Sequence, residues 1–167
     1  GDVFGNNGGT DLWVVKLVAT GGMLWQRSLG GGLTDVAYSI KETSDGGYIV
    51  AGNTYSNDGD VSGNHGGTDS WVVKLDAVGN TVWQNALGGS NTEVANSIQQ
   101  TSDGGYIVGG RTSSNDGDIS SNHGLSDAWV VKQDGAGNLL WEKSLGGSES
   151  DVAGSIQQTN DGGYIVA

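Results

Sequence analysis

The chain has 167 residues, among them 32 glycines and six tryptophans, with no cysteine and no proline. Disulfide scaffolding and cysteine-ligated zinc are therefore excluded, while 35 % apolar residues supply a packed core and argue against simple disorder. Nineteen acidic residues against seven basic ones give a formal charge of −12, which repels nucleic-acid phosphates and anionic lipid. No apolar run approaches the ~20 residues a membrane helix needs, so neither nucleic acid nor membrane insertion is expected.

A tandem repeat organises everything else. Trp13, Trp71 and Trp129 stand 58 residues apart, as do Trp25, Trp83 and Trp141, and SIQQTSDGGYIV at 97–108 returns as SIQQTNDGGYIV at 155–166. The units are 1–58, 59–116 and 117–167, the last seven residues short of a full repeat. Four strand-like segments recur, and the chain opens on the last two of them, C and D, around Trp13 and Trp25. Segment A, VAYSIKET (36–43), alternates Val36, Tyr38 and Ile40 with smaller residues, as a strand between two surfaces does. A hairpin turn at Asp45-Gly46-Gly47 leads to segment B, YIVAGNT (48–54). Segment C is SWVVKL (70–75), and Gly79-Asn80 turns it into D, TVWQNAL (81–87), which ends at Gly88-Gly89. B and C are apolar on both faces, which suits strands buried between stacked sheets. The order along the chain is C-D, A-B-C-D, A-B-C-D, A-B, and no window favours a helix.

Four antiparallel strands per unit predict an all-β fold of β-propeller blades, about three in number: two whole and two halves. A β-solenoid is the competitor, but its coils are shorter and rarely return through hairpins. The runs D-x-W-V-V-K-L, L-G-G-S and D-G-G-Y-I-V-A-G, in that order, resemble the bacterial and archaeal seven-bladed beta-propeller repeat found in secreted and surface proteins. Gly32, Val18 and Gly109 depart from the pattern without threatening it. The resemblance implies an extracellular or cell-surface location and brings no catalytic residues with it. Three blades close no ring. Either two chains form a six-bladed homodimer, each A-B half completing the other's C-D half, or the chain belongs to a larger propeller; the second is preferred.

The B–C loop, SNDGDVSGNHGGTD (56–69), holds the densest polar chemistry. Counted from Asp58, oxygen-bearing side chains fall at positions 1, 3, 5, 7 and 12: Asp58, Asp60, Ser62, Asn64 and Asp69. Their counterparts are Asp116, Asp118, Ser120, Asn122 and Asp127, while the first unit keeps Asp2, Asn6 and Asp11. That spacing resembles an EF-hand loop and makes Ca2+ the one candidate cofactor. The competing expectation, which is preferred, is a polar loop whose Asp and Asn cap turns.

His65 and His123 each precede an aspartate by four residues, Asp69 and Asp127, and are expected to hydrogen-bond within the loop rather than bind a transition metal. The tryptophans are expected to form inter-blade core rather than sugar platforms. Lys16, Lys74 and Lys132 lie mid-strand and require a partner, for which Asp11, Asp69 and Asp127 are the expected choice. Asp35, Glu93 and Asp151 recur at the start of segment A and read as turn or cap residues; as paired carboxylates they would instead suit glycoside hydrolysis. No G-x-S-x-G elbow is present. The sequence thus points to a non-enzymatic extracellular scaffold, adhesion or interaction module. A carbohydrate-binding propeller with a shallow pocket between each pair of blades is the alternative, and a glycoside hydrolase comes third.

Overall fold

A computed structural model describes residues 4–167; Asp2 lies outside the described residues. The described chain is all-β, with no helix. Its strands are β1 (Leu12–Leu17), β2 (Met23–Leu29), β3 (Asp35–Glu42), β4 (Tyr48–Thr54), β5 (Asp69–Leu75), β6 (Thr81–Leu87), β7 (Glu93–Gln100), β8 (Tyr106–Thr112), β9 (Asp127–Gln133), β10 (Leu139–Leu145), β11 (Ile156–Gln158) and β12 (Tyr164–Val166). They form four antiparallel meanders: β1-β2, β3-β4-β5-β6, β7-β8-β9-β10 and β11-β12. Segments B and D coincide with β4 and β6, and A and C each begin one residue earlier than expected.

The sharp A–B hairpin forms because Gly46 adopts φ 79° while Asp45 accepts hydrogen bonds from the Thr43 hydroxyl (2.5 Å) and the Gly47 N–H (3.0 Å). β3 carries a register shift between Ala37 and Ser39, repeated in β7 between Ala95 and Ser97. At the shift, a β-carbon on Gly52 would collide with the backbone of Val36, so only glycine fits there.

Successive sheets pack on one another through apolar side chains. Val50, Trp71 and Val73 of the second sheet meet Leu12, Val14 and Leu29 of the first, and Ile49 and Val72 meet Ala95, Ile98 and Val108 of the third. Trp71 and Trp129 are both 1 % exposed, as a core role requires, but Trp13 and Trp141 are 44 % and 38 % exposed. The expectation that all six indoles are core therefore fails for Trp13, on the two-stranded first sheet, and for Trp141, which is flanked only by the two-stranded β11-β12 sheet. Trp25, Trp83 and Trp141 each meet the tyrosine of the following B strand, Tyr48, Tyr106 and Tyr164, at 5.7 Å between ring centres.

The lysine pairing also needs correcting. Lys74 binds Asp45 (2.9 Å) and Lys132 binds Asp103 (3.0 Å), not Asp69 and Asp127. Asp69 and Lys74 sit at opposite ends of an extended strand rising about 3.3 Å per residue. The β4–β5 register, Tyr48↔Leu75, instead brings Lys74 beside the A–B turn. Lys16 has its ammonium over the Tyr48 ring, 5.1 Å from the centre.

Candidate functional site

The polar groups concentrate where one sheet hands over to the next. After β2 the backbone N–H groups of four consecutive residues point at the following sheet and its B–C loop. Gly30 donates to Asp60 (3.2 Å), Gly31 to Asp35 (2.8 Å), Gly32 to Asp58 (2.7 Å) and Leu33 to the Ser56 hydroxyl (3.0 Å). After β6 the pattern repeats, with Gly88 donating to Asp118, Gly89 to Glu93, Ser90 to Asp116 and Asn91 to Ser114. Asp60 and Asp118 return the bond, their N–H groups donating to the carbonyls of Gly30 and Gly88. The L-G-G turn is thus an anion-binding concavity filled by the protein's own carboxylates. After β10 only the Gly147 N–H is met this way, by Asp151.

This network accounts for Asp35 and Glu93 as cap residues. Both are fully buried, and each also accepts from a threonine hydroxyl, Thr54 or Thr112. It also fixes where the five candidate calcium oxygens point. Asp58 and Asp60 face the preceding turn, and Ser62 accepts from Gln84 (2.7 Å). Asn64 accepts from the Gly66 N–H (2.8 Å), and Asp69 accepts from the His65 N–H (2.9 Å) and ring Nδ1–H (2.8 Å). In the next unit Asp116 and Asp118 do as Asp58 and Asp60 do, and Ser120 donates to Glu142. Asn122 accepts from Gly124 (3.0 Å), and Asp127 accepts from His123 N–H (2.9 Å) and Nδ1–H (2.5 Å). The five oxygens of each loop are dispersed among these partners, and among the described residues no three acidic or histidine groups gather around one point that would suit an ion. Both histidines hydrogen-bond within the loop, as expected from their spacing.

Beside each L-G-G turn lies a second carboxylate with an unmatched oxygen. Asp11, Asp69 and Asp127 each have an Oδ1 that is buried and has no hydrogen-bond partner. A β-carbon on Gly88 would sit 2.6 Å from Glu93 Oε2 and 2.9 Å from Asp69 Oδ1, so the glycine's bare Cα separates two buried carboxylates. Burial, followed by the like charge of Glu93, pushes the Asp69 carboxyl above its ordinary value against the pull of His65. Asp103 is held down to about 2 by the Thr101 hydroxyl, the Gly105 N–H and Lys132.

A groove of about 460 Å³ opens between the second and third sheets, lined by Ser62, His65, Gln84, Asn85, Asp118 and Asn138. Between the first and second sheets Arg27 crosses the equivalent place, donating to the Val78 carbonyl (2.9 Å) and Asn80 (3.4 Å). The shorter Asn85 reaches only the Gly137 carbonyl (2.6 Å).

No family model matches the chain. It is 30 % identical over 162 residues to part of the regulatory protein FlaEY of Caulobacter vibrioides. The match takes in 89 % of this chain but 17 % of that protein's length.

Three features of the site escaped sequence reasoning. The first is the capture of the L-G-G amides, whose only signal was the constant spacing of glycines and acids. The second is the anchoring of the loop by Val61 and Ile119, both buried against the core. The third is the bond from each C-strand indole to a residue 13 positions on: Trp13 to Gln26, Trp71 to Gln84 and Trp129 to Glu142. The 58-residue recurrence of 26, 84 and 142 was a usable signal.

Proposed function

We propose that the chain is a run of β-propeller blades of the bacterial and archaeal seven-bladed beta-propeller kind, acting as a non-enzymatic scaffold or interaction module of an extracellular or surface protein. One observation carries this reading: the recurring acids, which are the natural candidates for chemistry, are spent on fastening each sheet to the one before it. The result is a rigid stack with an acidic, soluble exterior. The likeness to a short stretch of a much longer regulatory protein suits a module embedded among other domains. Averaged electron micrographs of the assembled protein test it: sheets radiating around a central axis support blades, whereas a straight ladder of sheets refutes them.

Carbohydrate binding is a second reading, favoured by the groove between the second and third sheets, whose amide, hydroxyl and carboxylate groups match sugar hydroxyls. A glycan array decides this one: signal abolished by Asn85→Ala supports it, and silence across all glycans leaves the scaffold.

A further inference from the structure

We propose that the third sheet carries a site for a singly charged oxyanion, the carboxylate or sulfate-ester group of a larger ligand, held by Arg111 and neighbouring hydroxyls. The observation behind this is a pocket of about 270 Å³ lined by Thr92, Arg111, Ser113, Leu125, Ser126 and Ser150. It lies where β7 begins, β8 ends and β9 begins, and the parallel bridge Ser126↔Ser150 joins two of its walls. The same bridge recurs as Thr68↔Thr92, so the seam itself is a regular part of the fold. The site stands whether or not the sheets form a propeller.

Two side chains there lack the partners their chemistry calls for. Ser126 is 7 % exposed, and its Oγ has no hydrogen-bond partner among the described residues, a costly state for a buried hydroxyl. Arg111 is exposed and has no carboxylate within ion-pair distance among the described residues, although the chain carries 19 acids against seven bases. The acids beside the pocket in sequence are engaged elsewhere. Glu93 accepts from the Thr112 hydroxyl and the Gly89 N–H, and Asp151 accepts from the Gly147 N–H. Ser113 Oγ is occupied by the Thr92 backbone, donating to its carbonyl (3.2 Å) and accepting from its N–H (3.1 Å). The guanidinium and the hydroxyls of Thr92, Ser126 and Ser150 are thus left as donors, a set that matches the oxygens of an anion. One cation on an acidic surface balances one charge, which selects a carboxylate or a sulfate ester over a phosphate dianion.

Comparison of the repeats shows that the pocket is particular to the third sheet. Asn53, Tyr55 and Gly67 stand one repeat before Arg111, Ser113 and Leu125, so the charge is new and a ring has given way to a hydroxyl. Gly67 has φ 54°, a conformation that Leu125 does not adopt, so the chain enters β9 by another path and leaves Leu125 68 % exposed at the rim. Three departures from the repeat meet in one cavity. The leucine offers an apolar rest to the carbon skeleton that carries the anion.

Amide-resolved NMR titration with acetate, methyl sulfate and hydrogen phosphate tests the site, each against chloride at matched ionic strength in mildly alkaline buffer, where phosphate is a dianion. Acetate or methyl sulfate is expected to shift the Ser113, Leu125 and Ser126 amides and to saturate in the millimolar range; whichever binds more tightly tells carboxylate from sulfate ester. Arg111→Asn, which copies the second sheet and leaves circular dichroism and melting as in the parent, weakens that binding at least ~10-fold. Arg111→Lys keeps the charge but loses the planar fork and weakens it ~3-fold. Ser126→Ala removes the buried donor and weakens it by a similar ~3-fold without lowering the melting temperature, since the hydroxyl it removes was unpaired. The absence of a saturable shift with either monoanion, equal binding by Arg111→Asn, or tighter binding of hydrogen phosphate than of both monoanions overturns the proposal.

Discussion

Replacing Asp69 by asparagine should stabilise the protein at alkaline pH. In the folded chain Asp69 is fully buried, its Oδ2 is engaged twice by His65, and its Oδ1 has no donor. A buried acceptor left without a partner costs about 1–3 kcal/mol. An asparagine keeps one oxygen for His65 and turns an N–H2 toward Glu93 Oε2, which lies across Gly88. Against this stands the weaker bond that a neutral oxygen offers His65, a loss of about 1 kcal/mol. The balance is a gain of roughly 1 kcal/mol at pH 8.

The sign of the pH dependence follows from linkage. Burial raises the folded pKa of Asp69 above that of the unfolded chain, so the folded state holds the proton more firmly. The parent therefore loses stability as pH rises from the unfolded carboxyl's value near ~4 through the folded pKa, and below both values the penalty is absent. The advantage of Asp69→Asn should shrink toward zero near pH 4. Urea unfolding followed by tryptophan fluorescence at pH 4.5 and 8 measures both quantities. A variant less stable than the parent at pH 8, by the same margin as at pH 4.5, would show that the unmatched oxygen carries no cost.

Other perturbations separate the remaining contributions. Gly88→Ala forces a β-carbon against two buried carboxylates and should cost about 2–4 kcal/mol, whereas Gly104→Ala, where nothing lies within 4 Å, should cost only about 1 kcal/mol for its positive φ; thermal melting ranks them. Asp45→Ala leaves the buried Lys74 ammonium with only the Leu75 carbonyl and should cost about 2 kcal/mol at neutral pH. That difference should fade in acid, because Asp45 is held below its usual value by Thr43, Lys74 and the Gly47 N–H, and what it contributes disappears as pH falls through its folded pKa. Since the loop side chains are already engaged in hydrogen bonds within the protein, millimolar calcium and chelator should give the same melting temperature; a rise of several degrees with calcium would favour the EF-hand-like reading.

Strand positions were legible because they depend on local alternation and on the glycines that end each run, as at Gly46 and Gly88. Pairing across strands was less so. The partner of Lys74 is set by the register of β4 on β5, and that register brings up a turn acid 29 residues away rather than the aspartate on its own strand. The amide capture at Gly30–Leu33 was hidden for the same reason: its donors are backbone groups, which no residue pattern displays. The exposure of Trp13 and Trp141 depends on which sheets stand beside them, and periodicity treats every repeat alike. The unmatched Oδ1 of Asp69 depends on side-chain geometry finer than any spacing rule.

The fastening of one sheet by the next has a direction. Gly30 is gripped by Asp60 and Gly88 by Asp118, each 30 residues further along. On a ribosome adding about 5–20 residues per second, every sheet waits some seconds for the acids that secure it, so maturation trails synthesis by half a repeat. Each repeat is therefore finished by its successor's arrival, and a pause inside a B–C loop leaves only the latest seam unlatched.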